Sequence, residues 1–175
     1  DKAGIAKGYN SIAIVNYRIK DFDGALQNWM KAIDIAEELR DKQSISYYQN
    51  NIGVYYHKKL FNYQKALEYY NSSLDLKEYL GEDRRISKSR NNIGQLYFEI
   101  GDFEHAMEMF ATALEIKKKL GDKRGIGITL GNIADVHLNK SEYDKAFEVL
   151  NECLALWMKL NDFINIIGIE QSMGI

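Results

Sequence analysis

The chain has 175 residues, of which 46% are hydrophobic and 27% charged, and its formal net charge at pH 7 is −2. This balance excludes a strongly basic surface that would bind nucleic acid directly, and the short or periodic apolar runs exclude insertion into a membrane. We expect a soluble protein in the cytoplasm, with an extracytoplasmic sensor region as the alternative.

The sequence repeats itself about every 40 residues. Equivalent positions of successive repeats hold Ile12, Ile52, Ile93 and Ile133. A fixed period of this size is typical of solenoids, in which a single unit cannot bury its apolar face alone. We therefore predict one array over residues 1–175, with repeats near 1–40, 41–81, 82–121 and 122–161 and a partial repeat at 162–175. Because the pattern begins and ends in mid-repeat, we expect a fragment of a longer protein.

Apolar residues at helical spacing predict nine helices. In chain order these lie near 2–19, 22–39, 42–60, 63–80, 84–100, 103–120, 123–139, 142–160 and 163–175. The predicted N-caps between the two helices of each repeat are Asp21, Asn62, Asp102 and Ser141. Each repeat is thus a helix, a tight turn, a helix and a second turn, and the fold class is all-α.

Small residues recur where the paired helices must approach closely. The first helices carry Ala13, Gly53, Gly94 and Ala134, and the second helices carry Ala25, Ala66, Ala106 and Ala146. A larger side chain at such a contact forces neighbouring groups apart. Replacing Ala106 by Leu is therefore predicted to damage the array more than a surface change does.

These residues form a recognisable signature. The second repeat reads Ile52-Gly53-x-x-Tyr56 and then Ala66-x-x-x-Tyr70, and the third reads Ile93-Gly94-x-x-Tyr97 and then Ala106-x-x-x-Phe110. This pattern resembles the tetratricopeptide repeat, in a variety longer than the usual 34 residues or so that is similar to kinesin light chains and to arrays in bacterial signalling proteins. The resemblance implies a right-handed superhelical solenoid of antiparallel helix pairs.

The resemblance also implies that the first helices line a concave, peptide-binding groove. A column of asparagines lies there, and one amide offers both a donor and an acceptor to a peptide backbone. The alternative is that these amides bond to neighbouring helices and only stabilise the stack. The predicted groove residues are Lys7, Asn10, Ile14, Tyr17, Tyr47, Asn50, Asn51, Val54, Lys88, Asn91, Asn92, Gln95, Phe98, Asn132 and Asp135.

Residues of the types that catalyse reactions or bind metal ions are scattered along the sequence. His57, His105 and His137 fall in different repeats without metal-ligand spacing, and no phosphate-binding or nucleophile motif occurs. The single cysteine, Cys153, takes the place of small residues in the other repeats, so we expect it to be buried. The sequence predicts neither an enzyme nor a cofactor or metal site.

The predicted function is protein–protein recognition: the groove binds a peptide segment or helix of a partner, as the regulatory or sensory part of a larger signalling protein. A freestanding scaffold that assembles a multiprotein complex is the alternative. The apolar helix at 163–175 suggests a further contact, because self-association would cover its exposed face.

Overall fold

The computed structural model of the protein describes residues 1–173, with side chains through Gln171. In this range the chain forms nine α-helices and no strand, which confirms the expected all-α class. The end of the ninth predicted helix, at 174–175, lies outside the described residues. The helices are α1 (Lys2–Arg18), α2 (Phe22–Glu38), α3 (Lys42–Lys58), α4 (Tyr63–Tyr79), α5 (Asp83–Glu99), α6 (Phe103–Lys119), α7 (Lys123–Asn139), α8 (Tyr143–Lys159) and α9 (Phe163–Met173).

The helices belong to two compact units, the first spanning Asp1–Glu82 and the second beginning at Asp83. In the first unit α1 packs against α2, α2 against α3, and α3 against α4. In the second unit the same order of contacts runs from α5 to α9. Short turns join successive helices, so each pair of successive helices is antiparallel.

Side-chain caps begin most of the helices, as the sequence predicts. Asp21 accepts a hydrogen bond from the backbone N–H of Gly24 at 3.0 Å, and Asn62 accepts one from Lys65 at 3.1 Å. The prediction for Ser141 is wrong by one residue. Glu142 is the N-cap of α8, while Ser141 has a φ of 58° and occupies the left-handed position that Gly101 fills in the preceding repeat.

The small residues create the helix–helix contacts that the sequence predicts. A Cβ atom built on Gly53 would lie 2.5 Å from Cδ1 of Tyr70, and one on Gly94 would lie 2.7 Å from Cε1 of Phe110. Aromatic rings from the second helices therefore rest directly on the backbone of the first helices. At the equivalent positions of the other repeats, Ala13 and Ala134 are fully buried.

The cap of α3 makes the stability of the first unit depend on pH. The hydroxyl and the backbone N–H of Ser44 both donate to the Asp41 carboxylate, at 2.6 and 3.0 Å, and these bonds hold the pKa of Asp41 below its ordinary value of 3.8. A lowered carboxyl pKa contributes stability above pH 3.8, and that contribution is lost as the pH falls through the folded-state pKa.

We therefore expect Asp41→Asn to lose less stability than the wild type on acidification. Asparagine caps helices about as well as aspartate, so the two proteins should unfold alike at neutral pH. Urea unfolding followed by circular dichroism, near neutrality and well below the ordinary pKa, measures the difference. Asp34→Asn, at an exposed position within α2, is the control. Equal acid sensitivity of all three proteins would contradict the expectation.

Candidate functional site

A small apolar pocket lies between α1 and α3 in the first unit, and we name it the α1–α3 pocket. It has a volume of about 250 Å³ and is lined by Ile14, Tyr17, Arg18, Trp29, Asn51 and Val54. Four of these six residues are predicted groove residues, the exceptions being Arg18 and Trp29. Trp29 comes from α2 and is buried, with its ring centroid 5.9 Å from that of Tyr17.

The hydrogen bonds beside this pocket show that Asn10 and Asn51 have different surroundings. Oδ1 of Asn10 accepts hydrogen bonds from Nε1 of Trp29 at 3.2 Å and from Nδ2 of Asn51 at 3.1 Å. Asn10 is buried, and its side chain joins α1 to α2 and α3. Asn51 is partly exposed at the pocket, and no described residue donates to its Oδ1.

The same division recurs at the other asparagine pairs. Asn50 accepts from the buried Lys77 at 3.5 Å, and Asn91 accepts from the buried Lys117 at 3.3 Å. In both cases the lysine comes from the second helix of the same repeat. Asn10, Asn50 and Asn91 occupy equivalent positions, and each accepts a hydrogen bond from the second helix of its repeat. The column one residue later, formed by Asn51, Asn92 and Asn132, opens onto cavities.

A second cavity lies between α5 and α7 in the second unit, and we name it the α5–α7 depression. It has a volume of about 440 Å³. Three predicted residues line it, together with Lys117 and two arginines that are not among the predicted groove residues. The lining residues are Arg84, Lys88, Asn91, Asn92, Lys117, Asp122, Arg124, Gly125 and Ile128.

Lys117 is the most buried charge of this depression, with a relative exposure of 4%. Its amine donates to the Thr129 hydroxyl at 2.6 Å and to Asn91 at 3.3 Å. Desolvation lowers the pKa of Lys117, and the charge of Asp122 opposes that effect. Lysine recurs at the equivalent positions 77 and 117 of two successive repeats, and this repetition is the sequence feature that could have identified Lys117.

A third cavity, of about 290 Å³, lies among α7, α8 and α9. The predicted residues Asn132 and Asp135 are on its wall, with the side chains of Ile128, Trp157 and Ile164. Desolvation raises the pKa of the Asp135 carboxyl, although the residue as a whole is exposed. The structure thus brings Asn132 and Asp135 together, but in a cavity distinct from that of Asn92.

Besides Asn10 and Asn50, four predicted residues lie outside these three cavities. Lys7 and Tyr47 are exposed on α1 and α3. Gln95 donates to Glu99 at 3.4 Å along α5, and the ring of Phe98 packs 5.8 Å from that of Phe103. Phe98 is therefore part of the contact between α5 and α6.

The titratable side chains of His105, His137 and Cys153 make local contacts. His105 bonds to Asp102 at 2.7 Å, and His137 bonds to Glu142 at 2.6 Å. Cys153 is buried as expected, which raises its pKa, and its thiol donates to the carbonyl of Gly127 at 3.2 Å. Among the described residues there is no His, Cys, Asp and Glu cluster suited to a metal ion, and no helix long and apolar enough to cross a membrane.

Sequence models of one family match most of the chain. Tetratricopeptide repeat models match residues 4–78 and 48–119, and a second such model matches residues 129–156. The chain belongs to the tetratricopeptide repeat family. The matching models describe a repeat rather than an enzyme. Among curated proteins, no sequence matches this tetratricopeptide array significantly.

Solved structures share its fold at low sequence identity. BtubC from P. vanneervenii has a TM-score of 0.83 and 22% identity over 93% of this chain. A signal transduction ATPase with a tetratricopeptide repeat sensor, from Pyrococcus horikoshii, has a TM-score of 0.88 and 18% identity over 97%. A Rap protein in complex with competence and sporulation factor has a TM-score of 0.82 and 20% identity over 97%. The array spans 66%, 26% and 47% of these proteins, respectively.

Proposed function

We propose that this tetratricopeptide array is a protein–protein interaction module that binds a peptide segment or a helix of a partner along its first helices. In this proposal it is the regulatory or sensory part of a larger signalling protein. The observation that carries the proposal is the α1–α3 pocket, where apolar side chains and an asparagine amide converge on one cavity.

The chemistry of this pocket suits one apolar side chain of a peptide together with its backbone. Burial of a leucine or phenylalanine side chain contributes about 1.5–3 kcal/mol, and a hydrogen bond to Asn51 contributes about 0.5–1.5 kcal/mol. These contributions are small beside the free-energy cost of ordering a peptide. A stable complex therefore requires contacts of the peptide beyond this one pocket.

Two of the similar structures support a regulatory role. One is a signal transduction ATPase whose repeats are described as a sensor, and the other is a Rap protein bound to competence and sporulation factor. Both are longer than this chain, in keeping with the proposal that residues 1–175 form a single array within a larger protein.

The scaffold alternative would use a different binding surface, the exposed apolar face of α9. The α9 helix exposes the apolar side chains of Phe163, Ile164 and Ile167, with relative exposures of 70%, 84% and 54%. A second partner, or a second copy of the chain, would cover these side chains. Self-association through α9 stays a prediction, and sedimentation of the wild type beside Ile164→Asp tests it.

The proposal is tested by panning a phage-displayed library of random dodecapeptides on the immobilised array. Enriched peptides are then titrated against the wild type, Val54→Glu and Val15→Glu. Val54 lines the α1–α3 pocket, whereas Val15 is 56% exposed on α1, so the two variants carry the same change in different surroundings.

We expect Val54→Glu to raise the dissociation constant at least about tenfold, because a carboxylate in an apolar pocket is poorly solvated. Val15→Glu should leave the dissociation constant unchanged. Circular dichroism melts establish that both variants are folded. Peptides that bind all three proteins equally would place the binding surface elsewhere and contradict the proposal.

A further inference from the structure

A further cavity lies between α3 and α4 in the first unit, and we name it the α3–α4 cleft. It has a volume of about 280 Å³ and is lined by Gln49, Tyr56, Lys65, Glu68, Tyr69 and Ser72. Sites for whole small molecules usually exceed about 300 Å³, so this volume suits a single side chain. Successive helix residues are about 100° apart, so Gln49 and Tyr56 lie on the side of α3 roughly opposite Val54 and the α1–α3 pocket.

The cleft contains a hydrogen-bond acceptor without a donor among the described residues. Oε1 of Gln49 is buried, and no described residue donates to it. A buried polar atom left unpaired destabilises the folded protein, and such atoms are rare in native structures. The donor for Gln49 must therefore come from solvent or from a ligand that enters the cleft.

Two stacked tyrosine rings form one wall of the cleft, which we call the tyrosine wall. The ring centroids of Tyr56 and Tyr69 lie 5.6 Å apart, and the angle between the ring planes is 12°. The Lys65 amine lies 5.2 Å from the centroid of the Tyr56 ring, so this ring already attracts a cation of the chain itself. Lys65 is exposed, and its flexible stem allows the amine to move aside for another cation.

The cleft also contains a carboxylate that is outside any described ion pair. Glu68 is exposed there, and no described residue forms an ion pair with it. Burial raises the pKa of Tyr69, and the charges of Tyr56 and Glu68 add to that effect, which indicates that the Glu68 carboxylate is close to the tyrosine wall. A cation in the cleft would be attracted by this carboxylate as well as by the ring face.

We infer that the α3–α4 cleft is a docking site for one arginine side chain of a partner protein. The guanidinium group is planar, always charged and rich in N–H donors, and it stacks on aromatic faces. It can therefore donate to Oε1 of Gln49, stack on the tyrosine wall and face Glu68 at the same time. A lysine ammonium lacks the planar face and is more strongly hydrated, so it meets fewer of these requirements.

The other repeats do not reproduce this combination of residues. The positions equivalent to Gln49, Tyr56 and Tyr69 are occupied by Tyr9, Asn16 and Asn28, by Arg90, Tyr97 and Met109, and by Leu130, His137 and Val149. In the third repeat Arg90 takes the place of Gln49, so the chain supplies a guanidinium of its own at the equivalent position. The arginine site therefore belongs to the second repeat, on a surface separate from that of the proposed peptide.

The test is an NMR titration of the isotope-labelled protein with N-acetyl-arginine methylamide at constant ionic strength. The reference probes are N-acetyl-citrulline methylamide, a neutral compound of nearly the same shape, and N-acetyl-lysine methylamide. The backbone amide signals of Tyr69 and Ser72 report on the cleft. Free L-arginine is the fourth probe, because its charged termini distinguish a free amino acid from a side chain within a protein.

Four variants assign the binding to particular groups. Gln49→Leu removes the buried acceptor, and Lys65→Ala removes the cation that lies over the ring of Tyr56. Glu68→Gln removes the charge of the cleft. Glu108→Gln carries the same change at the equivalent exposed position of α6 and is the matched control.

We expect the citrulline and lysine probes to bind the wild type at least about fivefold more weakly than the arginine probe. Gln49→Leu should raise the dissociation constant of the arginine probe about tenfold, while its melting temperature stays the same or rises because the unpaired oxygen is gone. Glu68→Gln should raise the constant about twofold or more, and Glu108→Gln should leave it unchanged. Lys65→Ala should lower it, because the amine no longer competes for the ring face.

Several results would overturn the inference. Equal affinity for the arginine and citrulline probes would assign the cleft to any planar donor, and equal affinity for the arginine and lysine probes would assign it to any cation. Free L-arginine that binds more tightly than the blocked probe would assign it to a free amino acid. Unchanged signals of Tyr69 and Ser72 would remove the site altogether. The response of the dodecapeptides to Val54→Glu is independent of these results, so the proposed function and this inference fail separately.

Discussion

Replacing Ala106 by Leu is expected to lower the free energy of unfolding by about 1–3 kcal/mol. Ala106 is fully buried at the start of α6, in a cluster with Phe110, Ile133 and Val136. Alanine and leucine have similar helix propensities, so the loss would come from packing. The added atoms would force α6 away from α5 and α7, the two helices that contact it within the second unit.

The same substitution at Ala111 is the matched control. Ala111 lies five residues further along α6 and is exposed, so leucine there should change the free energy of unfolding by no more than about 0.5 kcal/mol. Urea unfolding of the wild type and both variants, followed by circular dichroism at equal protein concentration, measures the difference. If the two variants unfold at the same urea concentration, the close contact at Ala106 does not limit the packing of the unit.

The helices were predictable from the sequence because their signals are local and repeated four times. The predicted helix starts agree with the observed ones to within one residue, since caps such as Asp21 and Asp102 define where a helix begins. The error at Ser141 arose because a serine is both a good N-cap and tolerable in a turn. Here the left-handed turn position precedes the cap, and Glu142 begins α8 without a side-chain hydrogen bond.

The site was only partly predictable, because its chemistry depends on contacts between helices. The spacing of the asparagines predicted one column on the first helices and did not distinguish the two adjacent positions within it. The distinction comes from Lys77 and Lys117, which reach across from the second helices to Asn50 and Asn91. Arg84 and Arg124 near helix N-termini resembled ordinary solvated charges in the sequence, and only the fold brings them around one depression.

The two columns of asparagines should respond differently to alanine substitution, and the pair Asn91 and Asn92 tests this within one helix. Asn91 accepts hydrogen bonds from the Lys117 amine and from the Thr129 hydroxyl at 3.0 Å. Its removal leaves a buried ammonium with one acceptor fewer. We expect Asn91→Ala to lower the free energy of unfolding by about 1–3 kcal/mol.

Asn92→Ala should instead weaken peptide binding and leave the free energy of unfolding nearly unchanged. Asn92 is partly exposed on the depression and no described residue bonds to its side chain, so the free energy of unfolding should change by less than about 0.5 kcal/mol. If its amide binds a partner, the dissociation constant of a peptide that binds this surface should rise about two- to tenfold, as expected for one hydrogen bond. Urea unfolding and peptide titration of both variants give the two quantities. A loss of stability in Asn92→Ala equal to that in Asn91→Ala would assign both columns to the stack and remove the asparagines from the binding surface.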